Sequence, residues 1–145
     1  MEIIEFNEID DLSKELIAKA IKIRERAYAP YSNFKVGAAL FSDDNTFFEG
    51  INIESSDYTL TTHAEMQAIN AMVVSGCLAF KAIAVVLNSS TGLSVPCGLC
   101  RQKMVEFAKN DNVRIIGYNL NNPDIVNIWQ LNELIPYQFN KLSLD

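Results

Sequence analysis

The chain has 145 residues, of which 49% are hydrophobic and 21% charged, which suits one globular domain with its own core. The formal net charge of -6 argues against nucleic acid as a partner and favours a small or neutral substrate, because phosphate binding requires clustered Lys and Arg. No apolar run approaches the ~20 residues that cross a bilayer, and the acidic start is not typical of a signal peptide. We therefore expect a single cytoplasmic domain, residues 1–145, with reduced thiols and neither membrane nor nucleic acid as a partner.

The first part of the chain predicts a helix followed by a hairpin. Residues 11–28 carry apolar side chains at helical spacing, and Asp10 or Asp11 can cap the start of this helix. Residues 34–41 and 47–53 are apolar runs of strand length, joined by the turn sequence SDDN. This pairing predicts an antiparallel hairpin.

Helices and strands alternate through the rest of the chain, which predicts an α/β fold with helices covering a sheet. The predicted elements are helix 63–75, buried strand 82–88, helix 97–109, strand 113–119, a fifth strand that the element order allows after it, and a short helix 130–135. Thr61 or Thr62 is a candidate N-cap for the first of these helices. Because loops at one end of such a sheet converge, we expect His63 and Cys97, each at a helix start, to lie close together.

The cysteine pair Cys97 and Cys100 has three interpretations. A spacing of three in a first helical turn places both sulfurs on one side, and the positive helix N-terminus favours thiolates. A redox pair is possible, but such a motif usually follows the first strand of its fold, whereas this one lies two-thirds along the chain. A four-cysteine zinc site is excluded because the chain has three cysteines, and Cys77, at a helix end, fits a small core residue.

The single histidine, His63, offers a third ligand for a zinc ion. Structural zinc sites normally have four protein ligands, so three ligands leave a position for water and indicate a catalytic site. Glu65 could exchange protons with that water, although a glutamate in a first helical turn can also simply complement the helix dipole. The combination H-x-E with P-C-x-x-C is the signature of zinc nucleobase deaminases.

Five segments in order resemble the small cytidine deaminases over nearly the whole length: AYAPYSNFKVGAALF, GINIESSDY, HAEMQAI, PCGLCRQKMVEF and ELIPYQF. The resemblance implies a three-layer α/β/α fold with a mixed five-stranded sheet flanked by helices. It implies zinc-dependent hydrolytic deamination of cytidine or deoxycytidine, with release of ammonia, in cytoplasmic pyrimidine salvage. It also implies one Zn²⁺ per subunit on His63, Cys97 and Cys100, with Glu65 as the catalytic proton carrier, in a homotetramer with shared active sites.

The resemblance also assigns contacts to the base and the sugar. Phe34 would pack on the pyrimidine ring, although by pattern alone an apolar residue starting a strand suits a core equally well. Asn52 and Glu54 would hydrogen-bond the ribose hydroxyls. Their spacing of two puts both on one face of a strand end, and an amide beside a carboxylate suits a vicinal diol.

Further contacts implied by the resemblance surround the reacting end of the base and the subunit boundary. The backbone of Ala64 would meet the pyrimidine carbonyl, and Glu65 would also contact N3 and the exocyclic amine. The Val95 carbonyl would face the leaving ammonia. Tyr58 and Phe139 would reach the site of a neighbouring subunit.

Two positions, His63 and Met66, depart from the pattern of small family members, which usually carry Cys and Arg there. Three thiolates leave a zinc site negatively charged, and a nearby Arg offsets that charge. Two thiolates and a neutral imidazole balance Zn²⁺, so no Arg is required, and larger cytidine deaminases and nucleic-acid deaminases use this ligand set. Three alternatives stay open: a deaminase of a related compound such as blasticidin S, a nucleic-acid deaminase, and a non-catalytic zinc-binding scaffold.

Overall fold

The computed structural model describes residues 1–144, with the backbone alone at residue 142. Its strands are β1 Glu2–Glu5, β2 Gly37–Ser42, β3 Phe47–Ile51, β4 Phe80–Leu87, β5 Arg114–Asn119 and β6 Ile125–Gln130. Its helices are α1 Asp11–Arg24, α2 Ala64–Val74, α3 Gly98–Phe107 and α4 Leu131–Leu134, with 3-10 turns at Phe6–Glu8 and Lys141–Leu144. None of the helices described is long and apolar enough to span a membrane.

The strands form one mixed sheet in the order β1-β6-β5-β4-β2-β3. Only β4 and β5 are parallel among the neighbouring pairs described, and α3 connects them. The expected α/β class and flanking helices are confirmed, but the expectation of a five-stranded sheet is wrong, because the described sheet has six strands. The additional strand is β1, a short and mostly exposed edge strand that pairs antiparallel with β6. Its four residues, EIIE, lack the alternation that identifies a half-buried strand in a sequence.

The sheet separates two hydrophobic clusters, one on each face. Val86 of β4 packs in the cluster with α1, whereas Ile83 of the same strand packs in the cluster with α2 and α3. This is the alternation that a strand imposes on successive side chains. The cluster with α1 includes Leu16, Ile17, Ala20, Ala84 and Ile116, and the opposite cluster includes Leu40, Ala68, Ile69, Met104 and Ile115.

The start of α1 has a side-chain cap, whereas the starts of α2 and α3 do not. Asp10 caps α1 as predicted, accepting a hydrogen bond from the Ser13 backbone N–H at 3.0 Å. The prediction of Thr61 or Thr62 as the cap of α2 is wrong: His63 is the N-cap, in an extended conformation and without a side-chain cap bond. Cys97 occupies the same position in α3, also without a capping bond. The side chains of His63 and Cys97 are therefore not used to cap their helices and can take part in other contacts.

Candidate active site

Three potential metal ligands meet between the starts of α2 and α3. The His63 Nδ1 atom lies 3.3 Å from the sulfur of Cys97 and 3.3 Å from the sulfur of Cys100. The three donor atoms all lie within 4.8 Å of one another. Among the residues that the structure describes, these three form the one such cluster of His, Cys, Asp and Glu side chains. The expected convergence of the two helix starts is therefore present in the fold.

The donor set fits a zinc ion. Tetrahedral zinc with Zn–S of about 2.3 Å and Zn–N of about 2.0 Å separates a nitrogen from a sulfur ligand by roughly 3.5 Å. The observed nitrogen-to-sulfur distances of 3.3 Å are close to that value. Cys100 is fully buried and His63 is half-buried, whereas Cys97 is exposed. Three protein donors leave one tetrahedral position for a water or a substrate atom.

A buried carboxyl group, Glu65, stands beside this cluster. It is 5% exposed, lies in the first turn of α2, and lines the same cavity as His63 and Cys97. Burial raises its pKa, and this effect outweighs the opposite influences of its own backbone, the Cys100 thiol and His63. The pKa of the Cys100 thiol is also raised, first by burial and then by the nearby Glu65 and Cys97. Without a cation, the site therefore resists accumulating negative charge, and a divalent ion reverses that preference.

A cavity of about 420 Å³ opens beside the cluster, on the α2 and α3 face of the sheet. That volume lies within the range of small-molecule sites. Its wall is formed by Ser32, Phe34, Val36, Asn52, Glu54, Thr61, His63, Ala64, Glu65, Val85, Leu87, Val95 and Cys97. A larger groove of about 600 Å³ lies at the β1 and β6 edge but has none of the predicted ligands, so chemistry rather than size identifies the site.

The residues predicted to contact base and sugar divide into two groups. Phe34, Asn52, Glu54, Ala64 and Val95 all line the cavity. Tyr58 and Phe139 do not line it and are 71% and 61% exposed. Their exposed positions leave both rings available to another molecule.

Within the chain itself, Asn52 and Glu54 hold backbone. The Asn52 amide oxygen accepts from the Val36 N–H, and its amide nitrogen donates to the Phe34 carbonyl, each at 2.8 Å. Glu54 accepts hydrogen bonds from the N–H groups of Tyr31 and Ser32, at 2.9 and 3.2 Å, and from the Ser32 hydroxyl. The Ser32 hydroxyl, followed by these backbone donors, lowers the pKa of Glu54. The carboxylate is thereby kept ionised and oriented.

Comparison with known proteins connects this site to a family. The family model described as the cytidine and deoxycytidylate deaminase zinc-binding region matches residues 11–121. The chain belongs to this deaminase family. The predicted zinc cofactor is thereby confirmed at the level of the family, and the donor cluster described above supplies a fitting site.

Relatives of similar length support the assignment to this deaminase family. The chain is 41% identical to a cytidine deaminase of Sporosarcina psychrophila over 131 residues, which cover 90% of this chain and 93% of that protein. It is 43% identical to a cytidine deaminase of Halalkalibacterium halodurans over 124 residues, or 86% and 91% of the two chains. The crystal structure of cytidine deaminase from Burkholderia pseudomallei superposes with a TM-score of 0.80 at 40% identity, covering 87% and 98% of the two chains.

Several residues of this deaminase site could not be selected from the sequence. Ser32, Val36, Thr61, Val85 and Leu87 line the cavity beside the predicted residues. Val85 and Leu87 are two residues apart in β4, so strand alternation could have placed them on one face, although not at a site. Ser32 stands two residues before Phe34 in the PYSNF segment, and this position is the one sequence signal that could have identified it.

Two glycines allow the deaminase site to assemble by close backbone contact. A Cβ atom at Gly117 in β5 would lie 1.9 Å from the Ser94 carbonyl oxygen, three residues before Cys97. A Cβ atom at Gly50 in β3 would lie 2.2 Å from the Ala64 carbonyl oxygen, at the start of α2. The Ser94 hydroxyl, itself buried, donates to the Val85 carbonyl at 2.9 Å. These contacts set the distance of each helix start from the sheet.

Met66, which stands where small family members usually carry Arg, lies in apolar surroundings. Its side chain is half-buried and packs against the hydrophobic cluster of α2 and α3. Arg101 follows Cys100 directly in the chain, and its guanidinium donates to backbone, from Nε to the Pro96 carbonyl at 2.8 Å and from Nη1 to the Leu134 carbonyl at 3.1 Å. Cys77, predicted as a small core residue, is half-buried and packs against the same hydrophobic cluster.

Proposed function

We propose that this chain is a cytidine deaminase, which converts cytidine to uridine and deoxycytidine to deoxyuridine by hydrolysis, with release of ammonia. The observation that carries the proposal is the buried Glu65 beside three metal donors at the wall of one cavity. Relatives named cytidine deaminase, to which the chain is similar over most of its length and theirs, add independent support.

In the proposed site, His63, Cys97 and Cys100 hold one zinc ion. When bound, zinc acts as a Lewis acid that makes a water molecule nucleophilic near neutral pH. Glu65 is buried in the wall of the cavity beside the three donors, where its carboxylate can take a proton from that water and pass it on.

Residues of the chain transfer the protons and hold the pyrimidine ring. Water adds at C4 of cytosine while Glu65 takes one of its protons and delivers it to N3. Glu65 then takes the proton of the new C4 hydroxyl and delivers it to the amino group, so that the C4–N bond breaks, ammonia leaves and C4 becomes a carbonyl. Each turnover consumes one water, releases one ammonia and leaves Glu65 in its starting state. The Ala64 backbone would hold the pyrimidine carbonyl, and the Val95 carbonyl would face the leaving ammonia.

The remaining cavity residues would recognise the nucleoside. Phe34, which is 43% exposed and lines the cavity, offers a ring face to the pyrimidine. Asn52 and Glu54 retain unused hydrogen-bonding capacity for the sugar hydroxyls. The carboxylate offers about four acceptor sites, of which three are occupied within the chain.

An ultraviolet absorbance assay on a panel of substrates tests this function. We expect turnover of cytidine and deoxycytidine, with one zinc per chain, and no turnover of cytosine within an oligonucleotide. Turnover of blasticidin S in place of the nucleosides would favour the alternative substrate. A zinc-loaded protein that deaminates none of these compounds would be a scaffold and would contradict the proposal.

We further propose a homotetramer with shared active sites. Tyr58 and Phe139 are exposed and lie outside the cavity of their own chain, as expected for side chains that complete a neighbouring site. Tyr137, two residues before Phe139, is 95% exposed and is a further aromatic side chain available for a subunit contact. Light scattering after size-exclusion chromatography should give four times the chain mass of 16.2 kDa, and a monomer at working concentration would contradict the shared site.

We also propose that residues 1–145 act as one catalytic domain in cytoplasmic pyrimidine salvage, without membrane or nucleic acid as a partner. The net charge of -6 supports the exclusion of nucleic acid. A fluorescence anisotropy titration with single-stranded DNA at low salt should show no saturable binding. Submicromolar binding would overturn this part of the proposal.

A further inference from the structure

We propose that Ser32 is a positioning residue for nucleoside recognition, whose hydroxyl joins the Glu54 carboxylate to the backbone that carries Phe34. This inference deepens the proposed cytidine deaminase function and rests on it. In this proposal one exposed serine aligns Glu54, on the sugar side of the cavity, with Phe34, on the base side.

The Ser32 hydroxyl is engaged in both directions. It donates to Glu54 Oε1 and accepts the backbone N–H of Phe34 at 3.0 Å. The Ser32 backbone N–H donates to the other oxygen of the same carboxylate at 3.2 Å, beside the Tyr31 N–H at 2.9 Å. Ser32 therefore contacts both oxygens of Glu54 and also the residue proposed to stack on the pyrimidine.

The Phe34 backbone needs such support because it lies outside the sheet. Strand β2 begins only at Gly37, so no ladder hydrogen bonds hold Phe34. Asn33, just before it, adopts a left-handed conformation with φ of 56°, which turns the chain at this point. The Phe34 N–H is bound by Ser32 and its carbonyl by Asn52. Side chains from the sugar side of the cavity thus replace the missing sheet bonds.

The carboxylate is equally dependent on Ser32. Of about four acceptor sites on a carboxylate, three are occupied by Tyr31 and Ser32, which leaves about one for a sugar hydroxyl. Two of those three bonds come from Ser32, so this residue sets the direction of the remaining site. Loss of the hydroxyl would free a second acceptor site and allow the carboxylate to rotate away from the sugar.

A substitution series with two nucleosides tests the inference. Ser32→Ala should raise KM for cytidine about tenfold, the usual scale for losing a hydrogen bond to a charged group, with kcat within about twofold. The loss in kcat/KM should be about threefold or less for 2′,3′-dideoxycytidine, which has no hydroxyl at either ribose position. Ser32→Thr, which keeps the hydroxyl, should restore wild-type values for both.

The matched control is Ser90→Ala, an exposed serine whose hydroxyl makes no hydrogen bond among the described residues and which does not line the cavity. It should leave all parameters unchanged, and zinc content should equal that of wild type in every variant. An equal loss on both nucleosides, a fall in kcat alone, or no change in Ser32→Ala would overturn the inference while wild type stays active. A wild type inactive on both nucleosides would instead overturn the proposed function, and this inference with it.

Discussion

The two ends of the cavity are constructed by different means. At one end, His63, Glu65, Cys97 and Cys100 project from the first turns of two helices that rest on the sheet, and Glu65 and Cys100 are buried. At the other end, Ser32, Phe34 and Glu54 lie on irregular backbone held by side-chain hydrogen bonds. The chemical end is fixed by packing, whereas the recognition end is fixed by a few side-chain hydrogen bonds, most of them exposed.

The difference suggests how substitutions at each end should behave. Packing contacts tolerate little change, so substitution of the four side chains at the chemical end should remove activity or metal. Exposed hydrogen bonds each contribute less, so changes at the recognition end should alter affinity and selectivity and leave the reaction intact. The following predictions test this contrast at its chemical end.

The largest effect is expected for Glu65→Gln. Removing the proposed proton carrier should lower kcat by about 10²–10⁴-fold, the usual contribution of general acid–base catalysis, with zinc retained. Glu49→Gln, an exposed site on β3, is the matched control and should leave kcat unchanged. A Glu65→Gln enzyme with wild-type turnover would contradict the proposed mechanism.

The same variant should be more stable than wild type when both lack metal. Burial raises the native pKa of Glu65 above its unfolded value, so its contribution to stability is present below the unfolded pKa and is lost as pH rises through the native pKa. Glutamine has no such ionisation to suppress. Thermal unfolding in a chelator at pH 5 and pH 8 should show the advantage of the variant growing with pH.

Loss of a proposed ligand should have the next largest effect. Cys100→Ser should weaken zinc binding by at least about a hundredfold, because substitutions even outside the ligand set cost ten- to a hundredfold. Cys77→Ser, at the half-buried cysteine outside the cluster, should keep one zinc per chain. Competition with a chromophoric chelator measures both, and equal zinc affinity in the two variants would refute the assignment.

Gly117→Ala tests whether backbone contact sets the position of the thiol loop. The added methyl would lie 1.9 Å from the Ser94 carbonyl, so the segment leading to Cys97 must move, at about 1–3 kcal/mol in unfolding free energy. Zinc affinity should fall with it. Gly98→Ala adds the same methyl beside Cys97 in open space and should change neither quantity by much.

The smallest of these effects is expected for Met66→Arg. The proposed ligand set is already neutral with zinc, and Met66 packs against apolar neighbours, so a cation there would be poorly accommodated. Turnover should fall by about threefold to tenfold, whereas Met66→Leu, which conserves volume, should be nearly silent. Unchanged turnover and zinc content in the arginine variant would count against the charge argument.

The sequence was most informative about the chemical end. A lone histidine, a glutamate two residues after it and a C-x-x-C pair are few enough to be combined by counting, and the predicted order of strands and helices brought both helix starts to one end of the sheet. Strand β1 escaped prediction because four mostly exposed residues carry no usable pattern. The prediction of Thr61 or Thr62 as the cap was wrong because it relied on the general preference for Thr at this position, whereas α2 has His63 as its N-cap.

The recognition end was predicted mainly through family resemblance. Asn52 and Glu54 were predicted in that way as sugar contacts, and both line the cavity, but the sequence could not show that they hold the backbone of residues 31–36. Ser32 was missed because a serine in a turn is usually only a turn residue. Its contacts depend on the distance between two segments that the chain brings together only on folding.

Activity measured against zinc content is the most direct test of the account. Protein stripped of metal with a chelator would be titrated with zinc, and deamination of cytidine followed after each addition. We predict no activity at the start, a linear rise to a plateau at one zinc per chain, and no rise in Glu65→Gln despite equal zinc binding. Full activity in the metal-free protein, or a zinc-saturated wild type that leaves cytidine unchanged, would contradict the account.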